Sequence, residues 1–142
     1  MFKILVPVDG SQHALRALQY AISHKDWLRE ALEIHLLNVQ LQIVSGAVKM
    51  FVAQEQLNQY YHDEGEKALA PARQLVEKAG VALHTHIGVG EPAPLIARYA
   101  RDQDCRVIVM ATRGMSAVAN MLMGSVTTKT IHLAEVPVVL VK

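Results

Sequence analysis

Residues 105–141 have the sequence CRVIVMATRGMSAVANMLMGSVTTKTIHLAEVPVVLV. Its first six residues, Cys105 to Met110, form a short apolar run of the length of a buried strand, and VPVVLV at 136–141 ends the segment in the same way. Between these runs lie a glycine-containing loop and a helix that we predict from about Ser125 to Ala134. Strand, loop, helix and strand in this order are the unit of parallel sheets, so the segment favours an α/β fold.

The same alternation extends towards the N-terminus. Residues Phe2–Asp9 (FKILVPVD) are apolar on both faces, which predicts a central strand, and Ser11 is placed to cap the helix that follows. Further strands are predicted over Leu32–Val39 and Val81–Val89. Five strands and four helices predict one domain over residues 1–142: an open, doubly wound, mostly parallel five-stranded sheet of the Rossmann-like type, with helices on both faces.

The second helix is the least regular part of this pattern. After an unassigned stretch over residues 41–52, apolar residues at helical spacing begin at Leu57, and Gly80 is placed to end the helix. Pro71 lies inside the pattern and lacks the N–H that a helix interior needs. We therefore expect a kink or a break near Lys67–Ala70.

Composition excludes several classes of protein. Of the 142 residues, 51% are hydrophobic and 19% charged, which is typical of a globular chain. The net charge of +1, without a block of like charges, argues against nucleic acid as a partner. Cys105 has no second cysteine to pair with, and the sequence contains neither a leader pattern nor an apolar run of membrane-spanning length. We expect a cytoplasmic protein that binds no membrane.

A ligand site is expected where the strands of such a sheet end and the strand order reverses. The loop after Met110 is the most informative, because Gly114 is followed after nine residues by Gly124 and Ser125 at the start of a helix. Glycine lets the backbone approach a phosphate closely, and the N–H groups and dipole of a helix N-terminus attract an anion. The same glycines also suit simple turns, so the spacing alone leaves both interpretations open.

The segment from Met110 onwards is similar to the C-terminal motif of universal stress proteins. In the nucleotide-binding members this motif is Gly, two residues, Gly, nine residues, Gly and Ser or Thr, with a Pro-Val strand at the end. The opening FKILVPVDGS and the segment GEPAPLIARYA also resemble the family. The resemblance implies a stress-response module that binds ATP or another adenine nucleotide, with any Mg²⁺ carried by the phosphates.

Carried over by position, the resemblance assigns roles to individual residues. It implies that the adenosine is bordered by Pro7, Val8, Asp9 and Val39, that the phosphates are held by Gly114, Gly124 and Ser125, and that Met110, Arg113 and Val126 lie alongside. The first glycine of the motif is Ala111 in this chain. A left-handed backbone there would cost an alanine ~1 kcal/mol or more, so we expect Ala111 to weaken binding and Ala111→Gly to tighten it.

Two other motifs have simpler interpretations. Gly88, Gly90 and Ala93 match the dinucleotide fingerprint G-x-G-x-x-A, but no acid follows at the distance that a ribose contact needs, which favours turn glycines. Seven histidines suggest a metal, and His84 and His86 lie on the same side of a strand. Because no third ligand follows at metal spacing, we assign no metal site and expect solvated or capped histidines.

The sequence leaves three functions open. The resemblance favours a binding protein without catalytic residues, although slow ATP hydrolysis stays open. A nucleotide hydrolase or transferase is the alternative, with Arg113 and Lys129 as the nearby cations that would stabilise transferred charge. The third function is association alone, without a nucleotide.

The last predicted strand, Val136 to Val141, is apolar and has no helix after it, so we expect it at a sheet edge, where unpaired backbone groups need a cover. The resemblance implies a homodimer in which Val138 to Val141 pairs antiparallel with its symmetry mate. A monomer whose edge is shielded by residues 41–52 is the alternative.

Overall fold

The apolar runs of the sequence form the strands of one sheet in a computed structural model, which describes residues 1–43, 53–113 and 123–142. The strands are β1 (Phe2–Pro7), β2 (Leu32–Gln40), β3 (Ala82–Val89), β4 (Val107–Ala111) and β5 (Val138–Val141). The α-helices of the described residues are α1 (Gln12–Ser23), α2 (Gln54–Lys78), α3 (Pro92–Asp102) and α4 (Ser125–Leu133), and a short 3₁₀ turn covers Lys25–Trp27.

The strand order is β3-β2-β1-β4-β5, and every adjacent pair is parallel. The chain runs outward from β1 through β2 to β3 and then returns to the other side of β1 for β4. The order of the strands therefore reverses between β1 and β4. This arrangement confirms the predicted doubly wound α/β sheet, with β1 at its centre.

Helices cover both faces of the sheet, which explains why its central strands are apolar without alternation. Leu36 and Leu37 are both completely buried, although successive side chains of a strand point to opposite faces. Leu36 belongs to the core under α1 and α2, whereas Leu37 belongs to the core under α3. At each position of such a strand the residue is either apolar or a polar residue with a hydrogen-bond partner, as Glu33, His35 and Asn38 are in β2.

Helix α2 runs without interruption from Gln54 to Lys78, so the alternative of a broken helix is wrong. Leu69 and Ala72, on either side of Pro71, are both completely buried, and their packing on the sheet holds both halves of the helix in place. At Gly65 the helix lies so close to β3 that a β-carbon would be 2.7 Å from the side chain of Ile87. No helix within the three described ranges is long and apolar enough to cross a membrane.

Cys105 is buried in the core under α3, as the sequence predicted for a small apolar side chain. Its backbone N–H donates to the carbonyl of Ala100 in the last turns of that helix, and β4 begins at Val107, two residues later than predicted. Burial raises the pKa of the Cys105 thiol to about 11. The group is therefore protonated, and a poor nucleophile, at neutral pH.

Candidate functional site

A cavity of about 650 Å³ opens at the carboxyl ends of the strands, where β1 and β4 lie side by side. Among the residues that line it are all of the predicted site residues that lie within the described ranges: Pro7, Val8, Asp9, Val39, Met110, Ala111, Arg113, Gly124, Ser125 and Val126. Gly114 lies outside the described residues. Sequence positions from both ends of the chain thus meet in one place, and the volume is within the range of small-molecule sites.

One part of the cavity wall is apolar. Besides Val8 and Val39, the wall includes Leu37, Ile96 and Pro92, which the sequence analysis did not select. Apolar residues at a strand end and on a helix are as typical of a core as of a site, so their pattern could not distinguish the two. Such a wall suits a planar, weakly polar group such as a nucleobase.

The N-terminus of α4 forms a polar part of the cavity wall. Gly124 is the N-cap, and its N–H donates to the carbonyl of Thr112 (2.6 Å), while the Thr127 hydroxyl donates to the carbonyl of Ala111 (3.0 Å). These two bonds fix the first turn of the helix against the end of β4. The N–H groups of a first helical turn have no partner within the helix, and together with the helix dipole they favour an anion.

The charges that line the cavity agree with this polarity. Arg113, which follows β4, and Lys129, which lies on α4, both line it and add positive charge to its wall. Helix α3 also begins at the cavity, but Pro92 and Pro94 have no N–H to donate there, and Glu91 is its N-cap. An anionic group is therefore favoured at α4 and disfavoured at α3.

Buried polar contacts hold the end of β1 in position. The side-chain amide of Asn38 donates to the carbonyl of Val8 (2.8 Å), and Asp9 accepts a hydrogen bond from the backbone N–H of Ser11 (2.9 Å). Asn38 is only 2% exposed, and Gln40 donates to its side-chain oxygen. Sequence reasoning gave Asn38 no role, because a bond across two strands leaves no local signal. Its position makes it a support for the cavity rather than part of its lining.

Ala111 is the last residue of β4 and pairs with Val141. Among the described non-glycine residues only Asp104 has a positive φ, so the left-handed penalty expected at Ala111 does not arise. The expected gain from Ala111→Gly is therefore corrected: the methyl group is part of a strand and of the cavity wall, not a source of strain.

The variant Ala111→Gly should bind a nucleotide within about twofold of the parent chain and should unfold more easily. Glycine inside a strand costs about 0.5–1 kcal/mol relative to alanine, because the unfolded chain gains freedom. Calorimetric titration and urea unfolding measure the two effects. A glycine variant that binds tenfold more tightly would show that the methyl group does obstruct the ligand.

The glycines of the dinucleotide-like motif have structural roles. Gly88 lies inside β3, and a β-carbon there would lie 3.4 Å from the side chains of Leu95 and Tyr99, at ordinary contact distance. Gly90 has a φ of +143°, which L-residues rarely adopt, and it turns the chain into α3. Gly90 is therefore a turn glycine, as predicted, whereas Gly88 is a strand residue paired with Val39 and the prediction of a turn there is wrong.

A second polar cluster lies on the sheet face that α3 covers and shares no residue with the cavity lining. The β2–β3 register places His35 beside His84, and Glu33 lies within reach of both rings. The expectation that His84 has no third ligand is therefore wrong, because the sheet register supplies what local spacing did not. His35 is also only 3% exposed, so it is not a solvated histidine.

The charge states of this cluster follow from its contacts. The hydrogen bond with His35 is the main cause that holds the pKa of Glu33 below its usual value, so this carboxylate is ionised at neutral pH. Burial, with smaller contributions from His35 and His84, lowers the pKa of His86. His86 is therefore a neutral ring at neutral pH.

Comparison with known proteins agrees with the fold and the motif. The model of the universal stress protein family matches residues 1–142. Universal stress protein MJ0531 of Methanocaldococcus jannaschii is 32% identical over 141 residues, which cover 99% of this chain and 81% of that protein. The chain belongs to the universal stress protein family.

Solved structures show the same fold. MJ0577 of Methanocaldococcus jannaschii has a TM-score of 0.85 at 29% identity, with 99% of this chain and 94% of that chain covered. A family member from Arabidopsis thaliana, solved with AMP bound, has a TM-score of 0.71 at 20% identity, with 100% and 96% covered. At that identity the second likeness concerns the fold alone.

Proposed function

We propose that this universal stress protein binds ATP in the cavity between β1 and β4 and works as a cytoplasmic, homodimeric binding module. One observation carries the proposal: an apolar wall and a helix N-terminus with two nearby cations line the same cavity. Val8 and Val39 would contact the adenosine, and the first turn of α4 would hold the phosphates. The AMP bound to the Arabidopsis relative supports an adenine nucleotide as the ligand class.

Two charged side chains support ATP over a nucleotide with a single phosphate. Arg113 and Lys129 both line the cavity and could pair with two different phosphates, while the carboxylates of Asp9 and Glu91 balance their charge in the same lining. Any Mg²⁺ would arrive with the phosphates. Asp9 lines the same cavity, and its carboxylate would contact a ribose hydroxyl or, through water, the ion.

Binding, rather than turnover, is the function that the side chains support. A phosphoryl-transfer enzyme needs a base that activates the attacking group and cations that stabilise the transferred charge. Arg113 and Lys129 fit the second role, but Asp9 already accepts the N–H of Ser11 within a tight turn. Multiple-turnover phosphate release from the purified protein distinguishes the two functions, and we expect less than one phosphate per chain per minute.

Homodimer formation would occur at β5, the edge strand next to β4. In this pair the N–H of Ile108 donates to Pro137 and the N–H of Thr112 donates to Val141. Every second residue of a strand directs its N–H and C=O groups to the same neighbouring strand. Because Pro137 and Val141 face β4, the N–H and C=O groups of Val138 and Leu140 point away from it. The side chain of Leu140 is 37% exposed. Antiparallel pairing with a second β5 would satisfy these groups and cover this apolar edge.

Mass spectrometry of the denatured protein tests the nucleotide directly. We expect an adenine nucleotide to be released from freshly purified protein, and the nucleotide-free protein to bind ATP more tightly than AMP in calorimetric titration. Equal affinity for the two ligands would contradict the role given to Arg113 and Lys129. Absence of both a released nucleotide and any heat of binding would favour a family member that acts by association alone.

A further inference from the structure

The geometry points to a Zn²⁺ site formed by Glu33, His35 and His84, which lie on β2 and β3 and are not part of the lining of the nucleotide cavity. The three ligand atoms lie within 4.8 Å of one another. Glu33 and His35 come from β2 and His84 from β3, so the set is assembled by the sheet register and not by a local motif.

Individual distances suit a single ion. The Nε2 atom of His35 lies 2.8 Å from Oε1 of Glu33, and the Nε2 atom of His84 lies 3.5 Å from the same oxygen. In a tetrahedral zinc site with bonds of about 2.0–2.1 Å, neighbouring ligand atoms are about 3.3 Å apart. The two distances to the Glu33 oxygen lie on either side of this value.

The kind of ligand favours zinc over the hard cations. Two imidazole nitrogens with one carboxylate form a ligand set found in zinc sites that keep one position open, whereas Ca²⁺ and Mg²⁺ prefer oxygen ligands. Glu33 and His35 are buried, while the side chain of His84 is 58% exposed on the edge strand. Solvent can thus reach the cluster from the side of His84, which gives the ion an entry path and a water as fourth ligand.

His86 supplies the support that a histidine ligand needs. Metal-bound histidines usually donate the proton of the other ring nitrogen to a nearby acceptor. The Nδ1 atom of His35 lies 3.0 Å from Nε2 of His86, and the two rings are nearly parallel. With its proton on Nδ1, His35 donates to His86 and directs the lone pair of Nε2 towards the ion. His86 is a positioning residue and not a ligand.

One nearby charge opposes the ion. Lys3 pairs with Glu33 in the β1–β2 register, and its ammonium group adds positive charge beside the carboxylate. Without zinc, the hydrogen bond between Glu33 and His35 satisfies both groups, so the cluster does not need a metal for folding. We therefore expect micromolar affinity and an ion that binds and leaves, not a permanent structural zinc.

Zinc titration of the chelator-treated protein against a chromophoric competitor tests the site. We expect one Zn²⁺ per chain, and Co²⁺ should give the visible absorption of a tetrahedral complex. His84→Ala and Glu33→Gln should each weaken Zn²⁺ binding at least tenfold. His86→Phe should weaken it about tenfold, since loss of a supporting hydrogen bond typically costs 10–100-fold.

His62→Ala is the matched control, because His62 is also exposed but lies on α2. It should bind zinc like the parent chain, and His84→Ala should bind ATP like the parent chain. If His84→Ala keeps its zinc affinity, or if His62→Ala loses as much, the site is wrong. His84 is at the surface, so its variant decides the question even if Glu33→Gln fails to fold.

Discussion

Gly124→Val should abolish ATP binding and leave the fold intact. Gly124 is the N-cap of α4 and lines the cavity, so a branched side chain there would stand between the phosphates and the first turn of the helix. Loss of two charge-assisted hydrogen bonds, at about 1.5–3 kcal/mol each, lowers affinity about 100-fold or more. The backbone at Gly124 has φ −72° and ψ 162°, which valine adopts without strain.

Ala53→Val is the control for this experiment. Ala53 is the N-cap of α2, with nearly the same backbone angles (φ −65°, ψ 149°), and it does not line the cavity. Both variants should keep the circular dichroism of the parent chain, and only Gly124→Val should lose the heat of ATP binding. Unchanged affinity in the Gly124 variant would contradict the placement of the phosphates at α4, whatever the result for zinc.

Leu140→Pro should convert the proposed dimer into a monomer of 15.7 kDa. The N–H of Leu140 points away from β4, so proline removes a donor of the dimer interface and keeps the hydrogen bonds between β4 and β5. The proposed interface would lose that bond twice, because the same strand would face itself across the two-fold axis.

Leu140→Val is the matched variant, since it keeps both the N–H and an apolar side chain. Sedimentation velocity at micromolar concentration should show a dimer for the parent chain and for Leu140→Val, and a monomer for Leu140→Pro. A parent chain that sediments as a monomer would rule out the dimer. A Leu140→Pro variant that stays dimeric would place the interface on another surface.

The architecture was predictable because each strand and helix has a strong local pattern. The buried strands around Leu36 and Ile108 leave few alternatives once strands and helices alternate. Helix α2 was predicted less well, because Pro71 is a local signal of a break and the packing of Leu69 and Ala72 that overrides it is tertiary. The start of β5 was placed two residues early, at Val136 instead of Val138.

The site was predictable only where a motif marks it. Asp9 follows the end of β1 and Gly124 stands in a glycine motif at the start of α4, and the structure brings both to one cavity. Asn38 and Glu33 have no such pattern. Asn38 donates to the carbonyl of Val8 at the end of the neighbouring strand, and Glu33 contacts His35 on its own strand and His84 on the next. These contacts depend on the sheet register and on burial, which the spacing of residues along the sequence does not show.

The pairing of β1 with β4 joins Ile4 to Val107, so the two walls of the cavity come from opposite ends of the chain. Contacts between such distant residues form late in folding, because closing a long loop costs entropy before any contact compensates it. The cavity is therefore complete only when β1 and β4 have paired. A bound nucleotide would lower the rate of unfolding. It would not change the rates of the folding steps that precede the pairing of β1 with β4, because its binding surface does not exist before that pairing.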